Sequence, residues 1–274
     1  MLDCLLDAIL DTLHLVPFLL ATFIILELVE HRVSKKSTGN KKFGPILGSI
    51  LGVFPQCGFS AVAANLYSSR IITMGTIIAV FLSTSDEMLP IMISEHTAIK
   101  ELSLIIVFKL VIAIIIGLLV DFIIKPKKEK HHVHEMCEHD HCNCEHHGII
   151  VSSLIHTLKI TLFILLANFL INLLIDYIGE DSLSNLLLNN NIFKYFIASL
   201  FGLIPNCAAS VIVTEVYLKG LITVGTLISG LLTGSGLGIL LLFKQNKNLK
   251  ENITILSIIY FVGVLFGLLV DIIV

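Results

Sequence analysis

The chain has 274 residues, of which 55% are apolar and only 14% are charged. Its mean hydropathy is +0.94. A soluble domain of this size needs far more surface charge, so the composition excludes a soluble globular protein. The formal net charge of −3 identifies no partner, and no nucleic-acid ligand is expected.

Apolar stretches with few charges follow one another along the chain. Each approaches the roughly 20 residues that cross a bilayer as a helix. They span 10–26, 46–69, 71–85, 102–124, 155–175, 195–214, 221–243 and 252–274. The sequence therefore predicts an all-α polytopic membrane protein that contacts the lipid bilayer.

The chain contains two related copies of one sequence pattern, and equivalent positions differ by 150 residues. Between 43–92 and 193–242, 14 of 50 ungapped positions are identical. The best-matched stretch of each copy is a proline–cysteine motif, and the same offset pairs Tyr67 with Tyr217. Duplicated halves with helix-breaking motifs at mid-membrane are typical of secondary transporters. We expect a first repeat over 1–124, a linker over 125–150 and a second repeat over 151–274.

Charge in the loops predicts the topology. Three loops, near residues 31–42, 125–130 and 244–250, are rich in Lys and Arg. The positive-inside rule places all three in the cytoplasm, and both termini then lie outside the cell. The predicted location is the plasma membrane.

The first repeat must cross the membrane an even number of times between its two basic loops, yet 43–124 contains three apolar blocks. A re-entrant hairpin over 43–69, with Pro55 at its tip, resolves this conflict. Helix 71–93 then runs outward and helix 102–124 returns. The alternative of five full spans per copy is disfavoured, because 43–54 is too short to span a bilayer.

The second repeat follows the same plan in the opposite orientation. Helix 151–175 runs outward, hairpin 193–218 enters from outside, helix 221–243 runs inward and helix 252–274 ends outside. Each repeat thus has three spanning helices and one re-entrant hairpin. Because a hairpin counts as two segments, the two inverted-topology repeats have ten segments in all.

A run of small and polar residues interrupts one spanning helix of each copy. Ser83-Thr84-Ser85-Asp86-Glu87 aligns with Thr233-Gly234-Ser235-Gly236-Leu237. Ser, Thr, Asp and Gly weaken helical bonding, so we expect the helix to unwind there. Unwound backbone at membrane depth is tolerated where it lines a cavity or is buried in protein.

Hairpin tips and helix breaks together form the predicted substrate site. Its candidate residues are Pro55, Gln56, Cys57, Ser60, Ser83, Thr84, Ser85, Asp86, Glu87, Pro205, Asn206, Cys207, Ser210, Thr233, Gly234 and Ser235. Thiols favour soft metals and metalloids, whereas carboxylates, amides and hydroxyls suit harder cations. The competing interpretation is that both cysteines are small hydrophobes at tight turns and that Asp86 and Glu87 mark a helix end.

The linker carries a second metal-binding pattern, with seven histidines and three cysteines between residues 131 and 147. Short His/Cys-rich tracts bind transition metals. The candidate ligands are His131, His132, His134, Cys137, His139, Asp140, His141, Cys142, Cys144, His146 and His147. Their spacing matches no defined zinc finger, which indicates a flexible chelator that captures or senses metal. The alternative is a merely polar linker.

The paired Pro-Gln-Cys and Pro-Asn-Cys motifs, the Ser-Thr-Ser-Asp-Glu segment and the histidine-rich loop resemble those of the ten-segment heavy-metal exporters. The resemblance covers the whole chain and implies export of a metal or metalloid ion, arsenic-type or manganese/zinc-type. No nucleotide-binding motif is present, so transport would be driven by a gradient or by the membrane potential and would need no cofactor. The protein is expected not to be an enzyme, and a homo-oligomer is compatible with the sequence. Alternatives are a membrane metal sensor that acts through the loop and an intramembrane thiol redox enzyme.

Overall fold

The computed structural model describes residues 43–54, 57–85, 87–124, 149–178 and 192–273, with a few single positions between 9 and 24. The described ranges from residue 43 onward form eleven helices and no strand. In chain order these helices are α1 (Gly44–Gly52), α2 (Cys57–Ser68), α3 (Met74–Ser83), α4 (Met88–Ser94), α5 (Ile99–Ile123), α6 (Ile149–Ile178), α7 (Phe193–Gly202), α8 (Cys207–Leu218), α9 (Val224–Thr233), α10 (Gly238–Gln245) and α11 (Leu249–Ile273).

Helix boundaries follow the sequence duplication. α2 and α8, α3 and α9, and α5 and α11 begin at positions that differ by 150 residues. The same N-terminal cap recurs, because Thr73 and Thr223 each accept a hydrogen bond from the backbone N–H three residues later. The duplication therefore extends to local structure.

α1 and α3 lie side by side and run in the same direction. A Cβ added to Gly48 would meet the side chains of Thr76 and Val80 at 3.1 Å, and one added to Gly52 would collide with Ser83 Oγ. The glycines of α1, spaced four residues apart, permit this close approach of two backbones. α2 then returns the chain to the start of α3.

The second repeat has the same arrangement. Lys194, near the start of α7, donates to Thr223 Oγ1 beside the start of α9 at 3.1 Å. A Cβ on Gly202, the last residue of α7, would collide with Gly230 O and Thr233 Oγ1 near the end of α9. In each copy a pair of short helices leaves and returns to the same end of the neighbouring helix. Since α1 has 9 residues and α2 has 12, they rise about 13 and 18 Å, well short of the roughly 30 Å hydrocarbon core.

The predicted breaks are confirmed in the described residues. α3 ends at Ser83 and α4 begins at Met88, while α9 ends at Thr233 and α10 begins at Gly238. Joined across their breaks, Met74–Ser94 and Val224–Gln245 are apolar and long enough to cross a membrane. Ile99–Ile123 and Leu249–Ile273 also meet this standard.

The broken helices lie in the interior and the long continuous helices lie outside them. The apolar windows of the broken helices are 76% and 83% buried, against 33% and 39% for α5 and α11. Large apolar side chains cover the outer faces, including Leu104 and Phe122 on α5 and Phe261 and Ile272 on α11. This distribution is that of a membrane protein whose outer helices face lipid.

A carboxylate near the end of each long helix anchors the start of each broken helix. Asp121 accepts hydrogen bonds from Gly75 N at 2.8 Å and Thr73 Oγ1 at 2.6 Å. Asp271 accepts the equivalent bonds from Gly225 N and Thr223 Oγ1. A carboxylate at a helix N-terminus is favoured by unpaired N–H groups and by the helix dipole. Both aspartates therefore have a structural role.

The two repeats contact each other through equivalent tyrosine–glutamate hydrogen bonds. Tyr67 donates to Glu251 at 3.1 Å, and Tyr217, the equivalent of Tyr67, donates to Glu101, the equivalent of Glu251. Correspondingly, α2 packs against α10 and α8 packs against α4. Equivalent residues of the two repeats therefore make equivalent contacts with the other repeat.

Candidate functional site

The first helix of each hairpin ends against the helix break of its own repeat. Gly52, where α1 ends, touches Ser83, where α3 ends. Gly202, where α7 ends, touches Thr233, where α9 ends. Only glycine fits at either position, because any side chain would overlap the neighbouring helix. In each repeat the end of the first hairpin helix therefore packs against the end of the first half of the broken helix.

The two repeats also meet beside their breaks. A Cβ added to Gly238, the first residue of α10, would lie 2.6 Å from the Phe81 ring and 2.9 Å from Ser60 Cβ. Gly238 therefore brings the second break into contact with the first hairpin and with the end of α3. Residues of both repeats contribute to one buried centre.

The side chain of Lys109 reaches into this buried centre and contacts both repeats. Its side chain is fully buried, and its ammonium donates to the carbonyl of Thr84 and to that of Leu231 at 3.0 Å. Thr84 caps α3 and Leu231 lies in the last turn of α9. One nitrogen therefore joins the C-terminal ends of both half-helices.

Hydroxyl groups at the breaks are buried and mostly bonded to their own helices. Ser83 and Thr84 donate to Val80 O, and Thr233 donates to Gly230 O at 2.9 Å. Ser85 is buried as well and donates to Ser83 O at 3.2 Å. Hydroxyls bonded back in this way leave lone pairs available to a ligand.

Ser235 differs from these hydroxyls. Its side chain is 0% exposed, and Ser235 Oγ has no hydrogen-bond partner among the described residues. An unpaired buried hydroxyl costs free energy, about 1–3 kcal/mol. Ser235 lies at the second break, between the end of α9 and the start of α10.

The second hairpin tip is described in full from Leu203 onward. Asn206 is buried and its side chain caps α8 by accepting from Ala208 N at 3.0 Å. Cys207 and Pro205 are half-buried, and Cys207 packs against the larger apolar core. Ser210 donates to Cys207 O at 2.8 Å. Cys207 thus occupies a helix N-terminus, an environment that favours negative charge.

Several predicted site residues are not tested. Pro55, Gln56, Asp86 and the whole 131–147 loop lie outside the described residues, and Cys57 is described only as the first residue of α2. Glu87 is exposed, so its carboxylate lies apart from the buried hydroxyls. Within the described part of the chain, no three His, Cys, Asp or Glu side chains form a group that could hold a metal ion.

Sequence reasoning missed Lys109. The signal was present, because Lys109 is the single charged residue between positions 102 and 120. A charge inside a membrane-spanning stretch indicates function by default. Its repeat equivalent is Ile259, which is buried and apolar, so the pattern of the duplication could not reveal it.

Comparison with known proteins agrees with the geometry. The ArsP_2 family model, described as "Putative, 10TM heavy-metal exporter", matches residues 1–178 and 150–274, which together cover the chain. No curated protein and no solved structure matches the chain. The family match confirms the resemblance seen in the sequence.

Proposed function

The chain belongs to the ArsP_2 family, and on that premise we propose that it exports a heavy-metal or metalloid ion across the plasma membrane. One observation carries the proposal: two half-length hairpins end against the breaks of two buried apolar helices. Broken helices at mid-membrane supply the carbonyls and helix ends that bind substrates in secondary transporters. The activity is transport rather than catalysis.

The proposed architecture is a pair of inverted-topology repeats with ten segments. Two contacts support it. Arg70, just before α3, pairs with Glu251, just after α10, at 2.6 Å, and Tyr217, just before α9, bonds to Glu101, just after α4. The start of each broken helix therefore lies beside the end of the other, as expected for helices that cross in opposite directions.

The proposed orientation places the loops near residues 36, 130 and 247 in the cytoplasm and both termini outside. With the native cysteines changed to Ser, membrane-impermeant maleimide should not label Lys36→Cys or Lys247→Cys in intact cells, but should label both after permeabilisation. A cysteine at the acidic N-terminus serves as the positive control. Labelling of residue 36 or 247 in intact cells would contradict the inverted arrangement.

The proposed substrate site comprises the hairpin tips and the helix breaks. Cys57, Cys207 and Asp86 bind the ion, while Gln56, Asn206, Ser85 and Ser235 orient it through amide, hydroxyl and backbone oxygens. A dehydrated cation in a low dielectric needs compensating charge and close ligands. The unpartnered Ser235 hydroxyl supports a ligand at the second break. A thiophilic ion of the arsenic type would depend on the cysteines, and a harder ion of the manganese type on Asp86.

The 131–147 loop concentrates or senses cytoplasmic metal in this proposal and does not form the translocation site. Its His, Cys and Asp residues are ligands for transition-metal ions. A membrane metal sensor is the second candidate function, because this loop alone could carry it. Deletion of 131–147 distinguishes the two: a sensor loses its function, whereas a transporter keeps a core activity.

A metal panel in cells tests the proposal. Cells with and without the protein are exposed to arsenite, Mn²⁺, Zn²⁺, Ni²⁺, Co²⁺ and Cu²⁺, and cellular metal content is measured. The protein should lower the content of at least one ion. Cys57→Ala with Cys207→Ala should abolish this effect for a thiophilic ion, and Asp86→Ala should do so for a hard one. Normal export with all three residues changed would place the site elsewhere.

A further inference from the structure

We propose that the meeting point of the two half-helix C-termini is a cation site, and that Lys109 occupies it as a tethered cation. The site is formed by the carbonyl oxygens of Thr84 and Leu231, both bound to Lys109 Nζ. The ligand class that would replace the ammonium is a small monovalent cation such as Na⁺ or K⁺. The inference extends the proposed function by assigning a second ion to the same centre.

The electrostatics of the two helix ends support this site. The C-terminal end of a helix carries roughly −0.5 of an elementary charge. The ends of α3 and α9 meet at Lys109, so together they present about one negative charge beside its ammonium. Half-helix C-termini and unwound carbonyls bind coupling cations in secondary transporters. Here the chain provides the cation itself.

The position of Lys109 on its helix places the ammonium inside the protein, away from solvent and lipid. Lys109 lies on the buried face of α5 with Ile105, Ile112 and Ala113, and its side chain is 0% exposed. A buried charge costs several kcal/mol unless it is paired. In the second repeat, the equivalent position is the apolar Ile259. The equivalent position of the second repeat therefore supplies no second ammonium.

Occupation of the cation site by Lys109 would also limit how the transported metal ion can bind. While the ammonium binds both carbonyls, an incoming metal ion cannot use them as ligands. The metal ion could use them only when Lys109 withdraws, so binding becomes an exchange of one cation for another. This arrangement disfavours an open pore through the breaks.

The test uses the purified full-length protein in lipid nanodiscs and measures thermal unfolding. Lys109→Met removes the charge but keeps the length of the side chain. We expect it to unfold at a lower temperature than wild type in N-methylglucamine chloride. Addition of 100 mM NaCl or KCl at constant ionic strength should restore stability in a saturable way, by about 5 °C or more. Wild type and Lys109→Arg should show no such response.

Two further variants separate a cation site from a structural tether. Lys109→Gln keeps a hydrogen-bond donor without charge, so a tether predicts cation-independent stability, whereas a cation site predicts the same response as Lys109→Met. Lys100→Met removes an exposed charge from the start of the same helix and should not respond. If the neutral variants can be purified only in NaCl or KCl, the proposal is supported.

Three results would overturn the proposal. Lys109→Met could be as stable as wild type without Na⁺ or K⁺, it could be destabilised with no cation able to restore it, or both neutral variants could fail to fold in every salt. Because unfolding is the readout, the outcome does not depend on export. A cation response in a protein that exports nothing would refute the proposed function and leave this inference standing.

Discussion

Arg70 adopts a backbone conformation that its counterpart in the second repeat reaches with glycine. Arg70 has φ 59°, and Gly220, at the equivalent turn, has φ 70°. This left-handed region costs a non-glycine residue roughly 1–2 kcal/mol. The cost is offset because Arg70 Nη1 lies 2.6 Å from Glu251 Oε2 and its guanidinium lies 5.6 Å from the centre of the Tyr67 ring.

Substitution of Arg70 should separate these two effects. Arg70→Ala loses the half-buried pair with Glu251 but keeps the strained backbone, so we expect a loss of about 2 kcal/mol, since hydrogen bonds to charged groups contribute roughly 1.5–3 kcal/mol. Arg70→Gly loses the same pair but relieves the strain. After allowance for the greater entropy of glycine in the unfolded chain, it should be more stable than Arg70→Ala by about 1 kcal/mol, a factor of about 5 in the unfolding equilibrium.

Gly220→Ala is the matched control. No atom lies within 4 Å of a Cβ built on Gly220, so alanine there adds strain without a clash. The difference between alanine and glycine should therefore be equal at positions 70 and 220 in a denaturant or thermal unfolding series. If Arg70→Ala and Arg70→Gly are equally stable while Gly220→Ala is destabilised, the strain argument for Arg70 is refuted.

Three further predictions follow from contacts between helices. Gly202→Ala should lower stability by about 1–3 kcal/mol, because the new Cβ would collide with Gly230 O; a thermal shift no larger than that of Gly220→Ala would contradict the tight packing of the second hairpin. Tyr217→Phe removes the hydroxyl that donates to Glu101 and should cost about 1–3 kcal/mol, whereas Tyr260→Phe, whose exposed hydroxyl lies 3.4 Å from its acceptor, should be nearly neutral; equal unfolding midpoints would refute the role of the reciprocal contact. Deletion of 131–147 should lower the number of transition-metal ions bound by the purified protein, measured by equilibrium dialysis, while export continues; unchanged metal stoichiometry would show that the loop is not a chelator.

The local features of the fold could be predicted because their signals are local. Proline and small polar residues interrupt apolar stretches where the hairpins turn and the broken helices unwind, and the duplication shows each signal twice. The first hairpin followed from the even number of crossings required between two basic loops, together with the short length of 43–54. The breaks at Ser83 and Thr233 lie where a run of small, polar or acidic residues, five in the first copy and four in the second, predicts them.

The contacts that join the repeats could not be predicted in the same way. Tyr67 and Tyr217 were matched by the duplication, but their partners Glu251 and Glu101 lie 184 and 116 residues away. Pairing over such distances depends on how the helices pack, which periodicity does not encode. Lys109 is the same case, because its acceptors are backbone carbonyls and leave no mark in the sequence.

Transport by the purified protein is the most direct test of the central claim that the hairpin tips and helix breaks form an export site. Proteoliposomes would be loaded by exposure to each ion of the metal panel, and internal metal would be measured by mass spectrometry. Wild-type protein should accumulate at least one heavy-metal or metalloid ion, the variant with Cys57, Cys207 and Asp86 all changed to Ala should not, and Lys100→Met should behave as wild type. If no ion of the panel moves, or if the triple variant transports as well as wild type, the account is contradicted.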